Sequence, residues 1–137
     1  MIKSSVIKIL QEEVGYIGKK YSSDNTSAKE APNGKGKFNK YSRELAPLNY
    51  YNGAKDGADY CCILIDWVFY KAAGDDMAEA VSHKPLYGYS NPIGWRCGAG
   101  CGYAYDAYPE DRRFDTPEAG DQIFYSQGKD IVHTGFV

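Results

Sequence analysis

Asn52-Gly53-Ala54-Lys55-Asp56-Gly57-Ala58-Asp59-Tyr60-Cys61-Cys62-Ile63-Leu64-Ile65-Asp66-Trp67-Val68-Phe69 is the stretch on which the reading of this chain turns. A turn rich in Gly and Asp runs directly into an apolar segment, and Cys61 stands at the junction. The segment predicts a helix over about 60–73. Cys62, Ile63, Ile65, Asp66, Trp67 and Phe69 leave it little exposed face, and Gly74 stands where a left-handed residue would end it. A cysteine at a helix N-terminus is placed to act as a nucleophile, because unpaired amides and the positive end of the helix dipole favour thiolate over thiol. Such a sulfur needs a proton acceptor. The chain has two histidines. His83 reads as loop surface, whereas His133 lies in Ile131-Val132-His133-Thr134-Gly135-Phe136-Val137, which reads as a β-strand with His133, Gly135 and Val137 on one face. His133 is therefore expected on the inner face, opposite Cys61. Four residues after His133 the sequence ends, before a strand that could supply a residue to orient the imidazole.

Working outward, Ser4 or Ser5 is placed to cap a first helix. Val6, Ile7, Leu10, Val14 and Ile17 form its apolar stripe, and Gly15 and Gly18 end it. Residues 21–40 lose all periodicity and read as a long surface or mobile loop, of the kind that often borders a site. A short helical segment is expected over 42–48 and another over 75–81, then a stretch rich in Pro, Gly and Tyr that contains Trp95. A third helix is expected over 103–114, with Pro109 arguing for a break and Tyr105 and Tyr108 near Phe114. The turn 115–121 leads into a strand at 122–125, and a five-residue connection at 126–130 closes a hairpin on the His133 strand.

The chain has 137 residues, 43% of them apolar and 25% charged, which suits one globular domain spanning 1–137. A net charge of −2 argues against a role dominated by nucleic acid or an anionic membrane. No run approaches a transmembrane helix, and Gln11, Glu12 and Glu13 interrupt the N-terminal segment where a signal peptide would be apolar. The expectation is a monomer made in the cytoplasm without a signal peptide. Thirteen Tyr and fifteen Gly suit a domain that binds extended polar ligands such as glycans or peptides.

Four cysteines in such a chain read as thiols. Adjacent Cys61 and Cys62 leave a helix about 100° apart and do not comfortably share one bridge or one metal. Cys97 and Cys101 bracket Gly98-Ala99-Gly100, a loop that could close into a disulfide or offer two ligands to zinc. Cys-x3-Cys without a second pair is a weak zinc signal. Cys62 reads as a small buried residue. Asp66 and Trp67 read as packing and hydrogen-bonding residues inside the helix. Tyr60, Trp95 and Tyr103 are candidates to line a groove.

Three segments together resemble a known family. Asp59-Tyr60-Cys61-Cys62-Ile63-Leu64-Ile65-Asp66-Trp67-Val68-Phe69, Pro117-Glu118-Ala119-Gly120-Asp121-Gln122-Ile123-Phe124-Tyr125 and Val132-His133-Thr134-Gly135-Phe136-Val137 look like the CHAP domain, the cysteine, histidine-dependent amidohydrolase/peptidase of phage endolysins and bacterial cell-wall hydrolases. Residues 6–18, Asn39-Lys40-Tyr41 and Gly100-Cys101 with Tyr103 are similar to the subgroup found in gut phages and their Firmicutes hosts. The resemblance implies an α+β, papain-like fold with N-terminal helices on a twisted antiparallel sheet, here truncated at its C-terminus. It implies peptidoglycan as substrate and a catalytic pair, Cys61 attacking an amide and His133 shuttling the proton, with Tyr60, the Cys61 amide and Trp95 around the oxyanion and groove. The bond cut would be the N-acetylmuramoyl-L-alanine amide or one within the stem or cross-bridge peptide.

No metal or cofactor belongs to that chemistry, and Ser22-Ser23-Asp24-Asn25, with one carboxylate, is a poor match to the calcium loop of some members. The family's orienting acid or amide follows the His strand, so a chain ending at Val137 is expected to be weak or inactive; the comparable loss in a serine triad costs about 10⁴ in turnover. Asp130, Asp121 and Glu118 are the nearest acids, and the first two, at the hairpin ends, read as turn formers. Two other classes compete: a wall-binding module that has lost catalysis, and another papain-like thiol enzyme, such as a transglutaminase or deamidase, acting on protein.

Overall fold

The computed structural model describes residues 2–48, 51–73, 99–108 and 110–137. The architecture is α+β. Among the described residues it comprises helices α1 (Ile2–Glu13), α2 (Lys40–Leu45), α3 (Cys61–Ala73) and α4 (Cys101–Ala107) and an antiparallel pair of strands, β1 (Gln122–Gln127) and β2 (Asp130–Phe136). Short 3₁₀ turns follow α2 at Ala46–Leu48 and precede β1 at Glu110–Arg112. The expected helix over 75–81, the Gly74 stop, His83, Trp95 and Cys97 lie outside the described residues.

Helix α3 is the centre of the molecule and packs against α1, α2, α4 and β2. Its Ile63, Ile65 and Val68 are β-branched and intrinsically mediocre helix formers, so burial rather than propensity holds it. All three are essentially without solvent contact, each contributing about 1.5–3 kcal/mol by leaving water. Val6 of α1, Tyr41 and Leu45 of α2, and Tyr51 complete this core. Trp67 meets the Tyr41 ring edge-on at 5.0 Å and donates its indole N–H to Glu44 at 2.7 Å. Asp66, although buried, accepts the Tyr51 hydroxyl at 2.6 Å. The interior roles expected for Asp66 and Trp67 are the ones observed.

Helix α1 starts at Ile2, so Ser4 and Ser5 sit within it and neither is its cap. Lys3 instead ties the first turn to Asp121, at 2.8 Å, and to Glu118. Gly15, at φ +87°, ends the helix as expected. Val14 is 74% exposed, because the helix stops one residue before it and the stripe's rotation is lost. Glu13 joins α1 to α2 by accepting from Lys40 and Tyr41, both at 2.8 Å. Asn39 caps α2 by accepting the Ser42 N–H at 2.9 Å.

The segment between α1 and α2 lies over the surface, one of the two alternatives read for it, and is knitted down by its own hydrogen bonds. Lys19 pairs through its backbone with Phe38, Lys20 donates to Gly34, and Gly36 donates to Gly18. A Cβ on Gly36 would stand 2.4 Å from the Lys19 carbonyl, which is why the position takes no side chain. The Lys19 side chain is buried over the Tyr16 ring and donates to the Ile17 and Lys29 carbonyls. Polar residues thus make this loop by closing their own hydrogen bonds, which apolar periodicity does not register.

The strands pair from Gln122 with Phe136 to Gln127 with Asp130. The connection is therefore only Gly128 and Lys129, with Gly128 at φ +62°, and shorter than the five residues expected. A bulge interrupts the register between Tyr125 and Ser126, so Val132 has no opposite partner. Simple alternation fails there: Ile131 joins Thr134 and Phe136 on the core side, and Val132 is exposed. Helix α4 begins at Cys101, earlier than expected, and stops at Ala107. Tyr105 and Tyr108 pack edge-on against Phe124 rather than Phe114, which is 76% exposed.

Candidate active site

Helix α3 fixes Cys61 as its first residue. The Leu64 N–H makes the first intrahelical bond, to the Tyr60 carbonyl at 2.9 Å, so the Cys61 amide lies ahead of the hydrogen-bonded ladder. Strand β2 runs alongside α3, with Phe136 meeting Phe69, about two turns on from Cys61, edge-on at 5.4 Å. Its register is held from beneath by a polar chain. Tyr108 donates to Gln122 at 2.8 Å, Gln122 donates to Thr134 at 2.9 Å, and the buried Thr134 hydroxyl donates to the Ile123 carbonyl at 2.8 Å.

These elements bring Cys61 and His133 to one cleft of about 680 Å³, lined also by Tyr60, Leu64, Val132 and Gly135. Lys37 and Asp59 stand at its edge as an exposed ion pair at 2.6 Å. Cys61 is half-buried, and His133 is near enough that its ring favours the Cys61 thiolate. Tyr60 leans between the Tyr41 ring, 6.1 Å away, and the backbone of Gly18. His133 is exposed, with the Tyr125 ring of the neighbouring strand at 5.6 Å, and is less enclosed than an inner-face position implied. Tyr103 packs over Gly100 and is absent from the cleft's lining. Trp95 lies outside the described residues.

The largest departure from expectation concerns Cys101. Local spacing left it open to a disulfide or a shared zinc with Cys97, which lies outside the described residues; the fold places its sulfur 3.4 Å from that of Cys61, and either can donate to the other. Cys101, Cys62 and Ala104 form a small buried cluster with Phe124 and Ile131. Nothing in the sequence joins Cys101 to Cys61, because their approach depends on how α4 docks against α3.

This neighbour changes the electrostatics predicted from the helix end. The Cys101 contact foremost, and then burial, push the Cys61 thiol well above its ordinary value, and His133 pulls in the opposite direction without reversing the shift. Cys101 is itself pushed up to about 11: the Cys61 contact lowers it, but Cys62 and burial outweigh that. Cys61 is thus held as a neutral thiol rather than the thiolate expected from the helix N-terminus. Desolvation and a second sulfur oppose the dipole.

Among the described residues no carboxylate forms an ion pair with His133. Asp121 accepts the Glu118 N–H and pairs with Lys3, in keeping with a turn-forming role, and Asp130 closes the hairpin. Among the same residues no three His, Cys, Asp or Glu side chains are grouped to hold a metal, and no helix is long and apolar enough to cross a membrane. Compared with known protein families, curated proteins and solved structures, the chain matches none of them.

Proposed function

We propose that this chain is a CHAP-type cysteine amidohydrolase acting on bacterial peptidoglycan, with the α3 and β1–β2 unit corresponding to the central helix and part of the sheet of a papain-like fold. One observation carries the reading. Cys61, opening a buried helix, and His133, distant in sequence on a strand, line the same cleft with Tyr60 between the helix end and the N-terminal loop. That is the arrangement nucleophilic acyl transfer needs.

A substrate carbonyl seated over the start of α3 receives the Cys61 sulfur while the thiol proton passes to His133. Because the resting thiol is neutral, proton transfer accompanies attack instead of preceding it. The oxyanion is held by the Cys61 amide, a donor of the kind worth on the order of 3 kcal/mol. Collapse expels the amine, which takes the proton back from His133. Water activated by the same imidazole then cleaves the thioester.

Incubation with purified peptidoglycan, followed by labelling of newly exposed amines and mass analysis of the fragments, tests this. The wild-type chain should release amines and identify the bond cut. Cys61→Ala should release none, and His133→Ala should be slower by about 10²–10⁴. A second reading, a wall-binding module without catalysis, is favoured by the protonated Cys61 thiol and by a His133 that has no carboxylate partner among the described residues. It would appear as equal co-sedimentation of wild type and Cys61→Ala with walls, and no amine release from either. Activity on a glutamine-bearing protein with none on walls would instead point to a transglutaminase or deamidase.

A further inference from the structure

The geometry points to a modification site that the proposed hydrolysis does not use: Cys61 and Cys101 form an oxidisable dithiol, closed to a disulfide by hydroperoxides and reopened by thiols, which turns the nucleophile off and on. The two residues open two different helices, α3 and α4, and their sulfurs are 3.4 Å apart. A disulfide needs about 2.05 Å, so closure asks for an approach of little more than about 1 Å in all, shared between the starts of the two helices. Their environments differ in the way such a pair requires. Cys61 is half-buried and faces the cleft, where a small oxidant can enter; Cys101 is 8% exposed and sits behind it against Cys62 and Ala104.

The chemistry balances with a hydroperoxide, ROOH, as oxidant. With its proton passed to His133, the Cys61 sulfur attacks the terminal oxygen, an S–O bond forms, the O–O bond breaks, and RO⁻ leaves as ROH. Cys61 is then a sulfenic acid, oxidised by two electrons. The Cys101 sulfur attacks the Cys61 sulfur, the S–S bond forms, and hydroxide departs with the Cys101 proton as water. Two thiols and ROOH become one disulfide, ROH and water. Resolution by a sulfur already in contact also competes with a second oxidation of Cys61 to the irreversible sulfinic acid. Reduction by a dithiol reverses the bond through a mixed disulfide.

Closure of the bond is independent of any substrate, whereas its effect on activity rests on the reading of Cys61 as the nucleophile. The test is to treat the intact chain with hydrogen peroxide, block the remaining thiols with N-ethylmaleimide, and map linkages by non-reducing digestion with fragmentation between Cys61 and Cys62. A Cys61–Cys101 linkage that dithiothreitol opens supports the inference. In Cys101→Ser, Cys61 should proceed to sulfinic acid several-fold faster than in the wild type.

A linkage of Cys101 to Cys62 or Cys97 overturns the inference. So does sulfinic acid at wild-type Cys61 without any crosslink, a result that needs no variant to fold. Wall hydrolysis measured on the same samples separates the two claims. Activity lost with the crosslink and regained with dithiothreitol supports the switch; a crosslink that leaves wall hydrolysis intact overturns it. A crosslink in a chain that cuts no wall even when reduced keeps the dithiol and removes the hydrolase reading together with the switch.

Discussion

At Cys61 four influences meet: the helix N-terminus and His133 favour the thiolate, while Cys101 and burial favour the thiol. The thiol prevails, and the two side-chain contributions can be removed separately. Iodoacetamide labelling of Cys61, followed against pH by residue-resolved mass spectrometry, should show a midpoint above that of an ordinary thiol. Cys101→Ala, which removes the foremost raising contact, should move the midpoint to lower pH, and His133→Ala should move it higher. A profile indifferent to Cys101 would mean that burial alone sets the shift. The position of Cys61 at the start of a buried helix was legible in its place between a Gly/Asp turn and an apolar run. Its protonation state was not, because Cys101 reaches it only through the docking of α4.

At the scale of elements, β2 presents His133 because Thr134 holds the strand from the other face. The buried Thr134 hydroxyl donates to Ile123 and accepts from Gln122, both bonds being partly buried. Thr134→Val keeps the shape and removes both bonds, leaving an amide and a carbonyl with one partner fewer. It should cost about 1–3 kcal/mol in denaturant unfolding and loosen the Cys61 labelling response to His133. A change below about 0.5 kcal/mol would show that water replaces the hydroxyl. Helix α3 and the hairpin were readable because their apolar residues are continuous or alternate. The early start of α4 and the bulge at Tyr125 were not, since a cap formed by Gly100 without a side-chain bond and one unpaired residue leave no period in the sequence.

Across the whole molecule, the three described thiols and three tyrosines share one tendency. Cys61, Cys62, Cys101, Tyr16, Tyr41 and Tyr108 all hold their protons more tightly when folded, with burial raising every one of them. Above the ordinary thiol value near 9.0 the unfolded chain therefore sheds protons that the folded chain keeps. Fewer protons on the unfolded state mean that stability falls as pH rises, beginning near that value and steepening past the ordinary tyrosine value of 10.0. Urea unfolding midpoints taken from neutral to alkaline pH should decline steadily; a flat profile would show that these groups ionise in place.

The sequence by itself determined the α+β class, the buried central helix and the hairpin that ends in the His133 strand. Each is written as apolar residues at the helical or strand period, and burying apolar surface enforces that pattern wherever it occurs. Tertiary structure alone decided that Cys101 faces Cys61. It also decided that residues 14–39 fold onto themselves around Lys19, and that Lys37 and Asp59 edge the cleft. These outcomes depend on contacts between segments remote in sequence, where one hydrogen bond or one sulfur contact selects the arrangement and no local periodicity records it.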